Sequence, residues 1–81
     1  MTNSEKLKKL ILDLFLLDPT EFRWDLTRSD IDTWDSLGIV SLAVGIEETF
    51  GYHFTPTEAV NVDSIPGLVQ VLSSKGIEFE Q

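Results

Sequence analysis

The sequence predicts an all-α protein, a small bundle of three main helices plus a short helix, with a long loop between the first two helices. The chain has 81 residues, which is enough for one compact core, so we expect a single domain over 1–81. Apolar residues recur at helical spacing in three segments, and no segment alternates like a half-buried strand. Because there is no cysteine, neither disulfides nor thiolate metal sites can stabilise the fold. Apolar packing must therefore be sufficient.

The first helix begins at the N-terminus of the chain. Thr2 and Glu5 have the spacing of a capping box, in which each side chain satisfies a backbone amide of the other residue. Apolar residues follow at helical spacing: Leu7, Leu10, Ile11, Leu14 and Leu17. We expect this helix to end near Asp18-Pro19.

A long loop is predicted to follow the first helix. From Thr20 to Trp34, polar and aromatic residues mix without helical or strand periodicity. Five apolar residues are available to anchor the segment: Phe22, Trp24, Leu26, Ile31 and Trp34. We therefore expect the loop to be ordered.

The second helix is predicted to begin at Asp35-Ser36, where Asp35 can cap the first turn, and to run to Phe50 with Gly51 as its stop. At about 100° per residue, this helix has two distinct faces. The core face comprises Ile39, Leu42, Ala43, Ile46 and Phe50. The second face comprises Ser36, Leu37, Val40, Ser41, Val44, Glu47 and Glu48. Its apolar side chains indicate either a docking surface with an acidic rim or a surface that the long loop covers, and periodicity alone leaves both open.

Two further helices complete the prediction. Thr55 and Glu58 form a second capping box around Pro56, so a short helix is expected over Pro56 to Ala59. Asp63 or Ser64 caps a last helix, which Gly76 follows. The helical repeat of that last helix is Ile65, Leu68, Val69 and Leu72. The tail from Ile77 to Gln81 carries no clear pattern.

The net charge of −8 argues against nucleic acid, whose phosphates require clustered Lys and Arg, and favours basic protein partners. No Lys or Arg occurs between Arg28 and Lys75, so the middle of the domain carries a field of one sign. The longest apolar stretch, Leu10 to Leu17, is too short to span a bilayer, and no secretion signal opens the chain. We expect a cytoplasmic monomer.

Other chemistries fit the residues poorly. Asp30, Asp32 and Asp35 are spaced like part of a calcium loop, but Asp35 stands where an EF-hand needs Gly and Ser41 where it needs Glu, so no metal site is predicted. His53 is the only histidine, and no nucleophile elbow accompanies it. The chain is therefore not expected to be an enzyme.

The segment that opens with Asp35-Ser36-Leu37 and closes with Ile46-Glu47-Glu48-Thr49-Phe50-Gly51 resembles the second helix of acyl carrier proteins. The resemblance covers nearly the whole chain, from the first helix to the last helix after Val62-Asp63-Ser64. It implies that a phosphopantetheinyl transferase uses coenzyme A to attach 4'-phosphopantetheine to Ser36. Acyl or aminoacyl groups would then be held as thioesters on that arm for biosynthetic enzymes.

The resemblance also implies roles for the neighbours of Ser36. Asp35 and Leu37 complete the attachment motif, and Asp35 assists its recognition. Contacts with the transferase and with loading and acceptor enzymes fall to Leu37, Val40, Val44, Glu47 and Glu48. Without this resemblance, a serine at a helix start is far more often a cap than a modification site, and Asp63-Ser64-Ile65 is predicted to be only a cap.

Two positions depart from the pattern of carriers that serve housekeeping fatty acid synthesis. Those carriers typically have acidic residues soon after the serine, where this chain has Gly38 and Ser41. Trp34 before the motif and Gly38 after it are more similar to standalone carriers of specialised pathways, including those loaded with amino acids such as D-alanine. The alternative function is an unmodified acidic helical adaptor that binds a basic partner through its second helix.

Overall fold

The computed structural model describes residues 2–79. Four helices follow one another: α1 (Asn3–Phe15), α2 (Ser36–Phe50), α3 (Pro56–Asn61) and α4 (Ile65–Ser74). Residues 2–79 contain no β-strand, and a single isolated bridge joins Thr27 to Ser64. The predicted all-α bundle of three main helices and one short helix is confirmed.

Helix α1 begins as its sequence predicts and ends earlier. The Thr2 hydroxyl accepts a hydrogen bond from the Glu5 amide at 3.1 Å, which completes the predicted capping box. The helix ends at Phe15 because Leu16 adopts the left-handed conformation, with φ 57° and ψ 43°. The expected end near Asp18-Pro19 was therefore wrong by about one turn.

The long loop between α1 and α2 is ordered, as predicted, and contains two short 3-10 helices, Pro19–Glu21 and Arg28–Asp30. Leu26, Ile31 and Trp34 are buried in the core. The loop is also tied to the start of α4, because the Arg28 amide donates to the Asp63 carbonyl at 2.7 Å and the Ile65 amide to the Leu26 carbonyl at 2.9 Å. These contacts fix the position from which the chain enters α2.

Helix α2 has the predicted bounds. The Asp35 carboxylate accepts from the Gly38 amide at 2.9 Å, and Gly51 closes the helix with a positive φ of 75°. On the core face, Ile39, Leu42 and Ile46 are buried, whereas Ala43 and Phe50 are partly buried. The assignment of the core face is confirmed.

Helices α3 and α4 cover the far side of the core. Thr55 and Glu58 form the predicted capping box, and α3 continues two residues beyond Ala59, to Asn61. The Ser64 hydroxyl accepts from the Gly67 amide at 2.9 Å, so Ser64 is the cap of α4. The buried core draws on every helix except α3 and on the loops: Leu7, Ile11, Phe15, Leu26, Ile31, Trp34, Ile39, Leu42, Ile46, Phe54, Val62, Ile65, Leu68 and Leu72.

The C-terminal tail packs back on the bundle as far as it is described. Phe79 meets Phe50 edge-on, with ring centroids 5.7 Å apart. The Asn3 side-chain amide donates to the Glu78 carbonyl at 2.8 Å. Glu80 and Gln81 lie outside the described residues.

Candidate functional site: the N-terminus of helix α2

Ser36 is the first residue of α2, and its side chain is exposed. Within the described part of the chain, the Ser36 hydroxyl makes no hydrogen bond. The hydroxyl of Ser64, in contrast, is partly buried and accepts the Gly67 amide. Of the two serines that follow an aspartate at a helix start, only Ser36 presents an uncommitted hydroxyl to solvent.

The backbone that presents Ser36 is held on several sides. The Trp34 ring stacks on Phe15 with centroids 5.2 Å apart and an interplanar angle of 22°. The Trp34 carbonyl accepts from Arg28 Nε at 2.9 Å, and the Trp34 amide donates to the Ile31 carbonyl at 3.1 Å. These contacts thus fix Trp34, which lies two positions before the serine. Its buried Nε1 has no hydrogen-bond partner among residues 2–79, a polar cost that the apolar packing of the ring must offset.

The start of α2 suits a negatively charged substituent on Ser36. The amides of the first helical turn have no partner within their own helix, and the positive end of the helix dipole adds to their field. Asp35 occupies the Gly38 amide, which leaves the amides of Ser36 and Leu37 directed outward. No acidic residue lies in the first turn of the helix itself. A phosphodiester on the Ser36 oxygen therefore fits the residues present.

The second face of α2 is open to solvent. Leu37 is 78% exposed, Val40 61% and Val44 49%, so the alternative in which the long loop covers them is wrong. Glu47 and Glu48 are also exposed, and Glu47 Oε2 lies 3.2 Å from His53 Nδ1. Three exposed apolar side chains with carboxylates at one end form a continuous strip beside Ser36.

Gly38 and Gly45 have a structural role that sequence reasoning did not explain. They are seven residues apart on the side of α2 that faces α1. A Cβ at Gly38 would collide with the Thr33 carbonyl oxygen and lie 3.2 Å from Phe15 Cε1, and one at Gly45 would lie 2.7 Å from Leu10 Cδ1. The Thr33 carbonyl of the preceding loop, together with Phe15 of α1, thus excludes any side chain, acidic ones included, two positions after Ser36. The seven-residue spacing of the two glycines places them on one side of the helix, and this was the sequence signal for a close helix contact.

Neither a membrane span nor a metal centre emerges from the described ranges. No helix within residues 2–79 combines the length and the apolar character needed to cross a bilayer. The same residues bring together no group of three or more His, Asp or Glu side chains that could hold a metal ion.

The fold and the site define a small helical protein that presents one serine at a helix start beside an exposed apolar strip. Comparison with curated proteins identifies relatives that include two acyl carrier proteins. The chain is 31% identical over 71 residues to an acyl carrier protein of Petrotoga mobilis, covering 88% of this chain and 84% of that protein. It is 33% identical over 70 residues to an acyl carrier protein of Clostridium acetobutylicum, covering 86% and 91%. No family model matches the sequence.

The chain belongs to the acyl carrier protein family, because both relatives exceed 30% identity and are covered over most of their length. The resemblance inferred from the sequence is thereby confirmed. The role that follows is that of a carrier protein rather than of an enzyme.

Proposed function

We propose that Ser36 of this carrier is the attachment site of 4'-phosphopantetheine, and that the chain delivers acyl or aminoacyl groups held on that arm as thioesters. The observation that supports this most directly is the exposed Ser36 hydroxyl, which has no hydrogen bond in the described part of the chain. A phosphopantetheinyl transferase would form the bond between the Ser36 oxygen and the phosphorus of the pantetheine phosphate as the diphosphate bond of coenzyme A breaks and adenosine 3',5'-bisphosphate leaves. The serine proton would pass to a base of the transferase.

The neighbouring residues would orient and recognise the attachment site. Asp35 holds the first turn of α2 through the Gly38 amide, so the hydroxyl and the two outward amides keep a fixed arrangement. Leu37, Val40 and Val44 would contact apolar surfaces of partner enzymes, with Glu47 and Glu48 facing basic residues. An arm supplied by coenzyme A also brings a thiol to a chain that has no cysteine.

The proposed cargo is that of a specialised pathway, with an amino acid as one candidate group. Gly38 supports this, because the Thr33 carbonyl and the Phe15 ring leave no room for an acidic side chain there. Acidic residues are consequently confined to the far end of the α2 strip, at Glu47 and Glu48. We propose that this carrier acts in the cytoplasm; that location, the single domain over 1–81 and the monomeric state remain predictions.

Attachment can be tested by intact mass after incubation with coenzyme A and a broad-specificity phosphopantetheinyl transferase. The wild-type chain should gain one phosphopantetheine, and Ser36→Ala should gain none. Ser64→Ala is the matched control, since it removes the other serine that follows an aspartate at a helix start, and it should still be modified. An unmodified wild type would favour the alternative of an unmodified acidic adaptor, and label at Ser64 would reject the site.

The docking strip can be tested separately by measuring transfer of the cargo to or from partner enzymes. Val44→Ala should raise the rate of dissociation, because it truncates the apolar centre. Changing Glu47 and Glu48 to Lys should slow association and alter its salt dependence. Asp63→Lys with Glu78→Lys makes the same change in net charge at exposed positions elsewhere and serves as the control. Normal transfer by the Glu47 and Glu48 variant at low salt would reject the acidic rim.

A further inference from the structure

Leu16, at the end of α1, combines two unfavourable features. It is the only non-glycine residue with a positive φ among residues 2–79, and its side chain is 83% exposed, more than any other large apolar residue described. Glycine or asparagine is preferred where a helix ends in the left-handed conformation, because a Cβ is strained there. Backbone hydrogen bonds from the Leu16 and Leu17 amides to the Leu12 carbonyl close the helix, but no residue of the described fold buries the Leu16 side chain.

Leu16 lies at the same end of the bundle as Ser36. The residue before it, Phe15, accepts a hydrogen bond from the Thr33 hydroxyl at its carbonyl, 3.1 Å away. The Phe15 ring stacks on Trp34 and lies next to Gly38. Helices α1 and α2 pack antiparallel, so the last residue of one adjoins the first turn of the other. Leu16 therefore lies near the start of α2, on a different element from the apolar strip.

Several exposed carboxylates lie near Leu16 along the chain and near the start of α2, where Arg28 is held on the Trp34 carbonyl. Asp13 lies one turn earlier on α1 and Asp18 two residues later, and both are exposed. No Lys or Arg occurs between Lys9 and Arg23. Asp32 and Asp35, on the loop and cap that lead into α2, are exposed as well. An apolar side chain within a carboxylate border is complementary to an apolar pocket with a basic rim.

We propose that Leu16 is an anchor residue for the phosphopantetheinyl transferase, a second contact point on α1 in addition to the α2 strip. This inference rests on the proposed attachment at Ser36. The transferase must take the Ser36 hydroxyl itself into its active site, so it has to cover the surface immediately around the start of α2. Enzymes that act later reach the thiol through a flexible arm and need not approach Leu16. Leu16 thus distinguishes attachment from the later transfer steps.

The test compares variants of the full chain by kcat/KM for phosphopantetheine attachment, with intact mass as the readout. Leu16→Asn removes the apolar side chain and keeps a residue that tolerates the left-handed conformation. Leu16→Met is the conservative variant. Trp24→Asn is the control for an exposed apolar residue elsewhere: Trp24 is 44% exposed and contacts Phe22, over which Lys8 lies, and Lys8 is roughly 12 Å from Leu16 along α1.

Leu16→Asn should lower kcat/KM for attachment by about tenfold, mainly through KM, whereas Leu16→Met and Trp24→Asn should change it by less than about twofold. The thermal midpoint of Leu16→Asn should equal or exceed that of the wild type. Asparagine tolerates the left-handed conformation, and the exposed apolar side chain is gone. Unchanged attachment to Leu16→Asn, with wild-type chain modified at Ser36, would overturn this inference alone. A lowered midpoint would show that Leu16 is structural and would overturn it too. Failure of the wild type to be modified would reject the proposed function and this inference together.

Discussion

Replacing Gly38 by alanine tests whether the Thr33 carbonyl and the Phe15 ring leave no room for a side chain beside the attachment site. At a helical position with free space, this change would stabilise the fold by about 0.5–1 kcal/mol, because alanine loses less backbone entropy than glycine. At Gly38 the new methyl group would meet the Thr33 carbonyl oxygen inside contact distance and Phe15 Cε1 at 3.2 Å. Relief requires backbone movement, because the nearest atom belongs to the main chain.

The two effects differ in size, and the steric cost should prevail. Overpacking of this kind typically costs about 1–3 kcal/mol, so the expected net effect is a loss of about 1–2 kcal/mol once the helix-propensity gain is subtracted. For a domain of this size, such a loss lowers the thermal midpoint by about 5–10 °C. Displacement of Thr33 would also disturb the hydrogen bond from its hydroxyl to the Phe15 carbonyl.

Gly45→Ala is the matched control for this experiment. The new methyl group would lie 2.7 Å from Leu10 Cδ1, but Leu10 is only partly buried and its side chain can rotate away. We expect a change within about 0.5 kcal/mol. The measurement is urea unfolding followed by circular dichroism, with the slope of the transition checked for constancy. A Gly38→Ala variant at least as stable as the wild type would refute the argument that the Thr33 carbonyl and Phe15 exclude side chains at this position.

Two further predictions concern the core and a hydrogen-bonded pair at the far end of α2. Ile46 is fully buried, so Ile46→Ala should lower the free energy of unfolding by about 2–5 kcal/mol in urea unfolding. Phe50→Ala should cost less, because Phe50 is only partly buried. Equal effects of the two substitutions would contradict this difference in burial. The Tyr52 hydroxyl donates to Glu58 Oε1 at 2.7 Å, and this hydrogen bond is the main reason that the pKa of Glu58 lies below its usual value of 4.5. The hydrogen bond from the Thr55 amide lowers the pKa further. This stabilisation is present above that value and is lost as the pH falls through the lower, folded-state pKa. Tyr52→Phe should therefore reduce stability at pH 7, and the difference from wild type should shrink at acid pH; a constant difference would reject the linkage.

The helix boundaries set by local chemistry were predictable from the sequence. Thr2 with Glu5, Thr55 with Glu58, and Asp35 each cap a helix through side chains within three residues, so residue type and spacing suffice. The end of α1 was not predictable in this way. Leu16 closes the helix in a conformation usually marked by glycine, and no local signal in the sequence distinguishes it from another helical leucine.

Features that depend on contacts between distant segments were out of reach of periodicity. The helical wheel separated the two faces of α2 correctly, but whether the loop covers Leu37, Val40 and Val44 depends on where Trp34 and Leu26 are buried. Those positions follow from packing and from hydrogen bonds such as the one between the Arg28 amide and the Asp63 carbonyl. Gly38 was noted only as a departure from a family pattern, because the Thr33 carbonyl and the Phe15 ring that leave no room for a side chain are brought there by the tertiary fold.

The distribution of the cations supports the interpretation of the α2 face as a surface for partners. Arg23 pairs with Asp25, and Arg28 donates to the Trp34 carbonyl.

Lys8 lies over Phe22 and Lys75 over Tyr52, so the described contacts of these two lysines do not involve Glu47 or Glu48. Within residues 2–79, Glu48 forms no ion pair and Glu47 meets only His53. No Lys or Arg of residues 2–79 pairs with Glu47 or Glu48. These carboxylates can therefore pair with the basic residues of a partner. This arrangement supports the proposal that a basic partner protein binds the α2 strip.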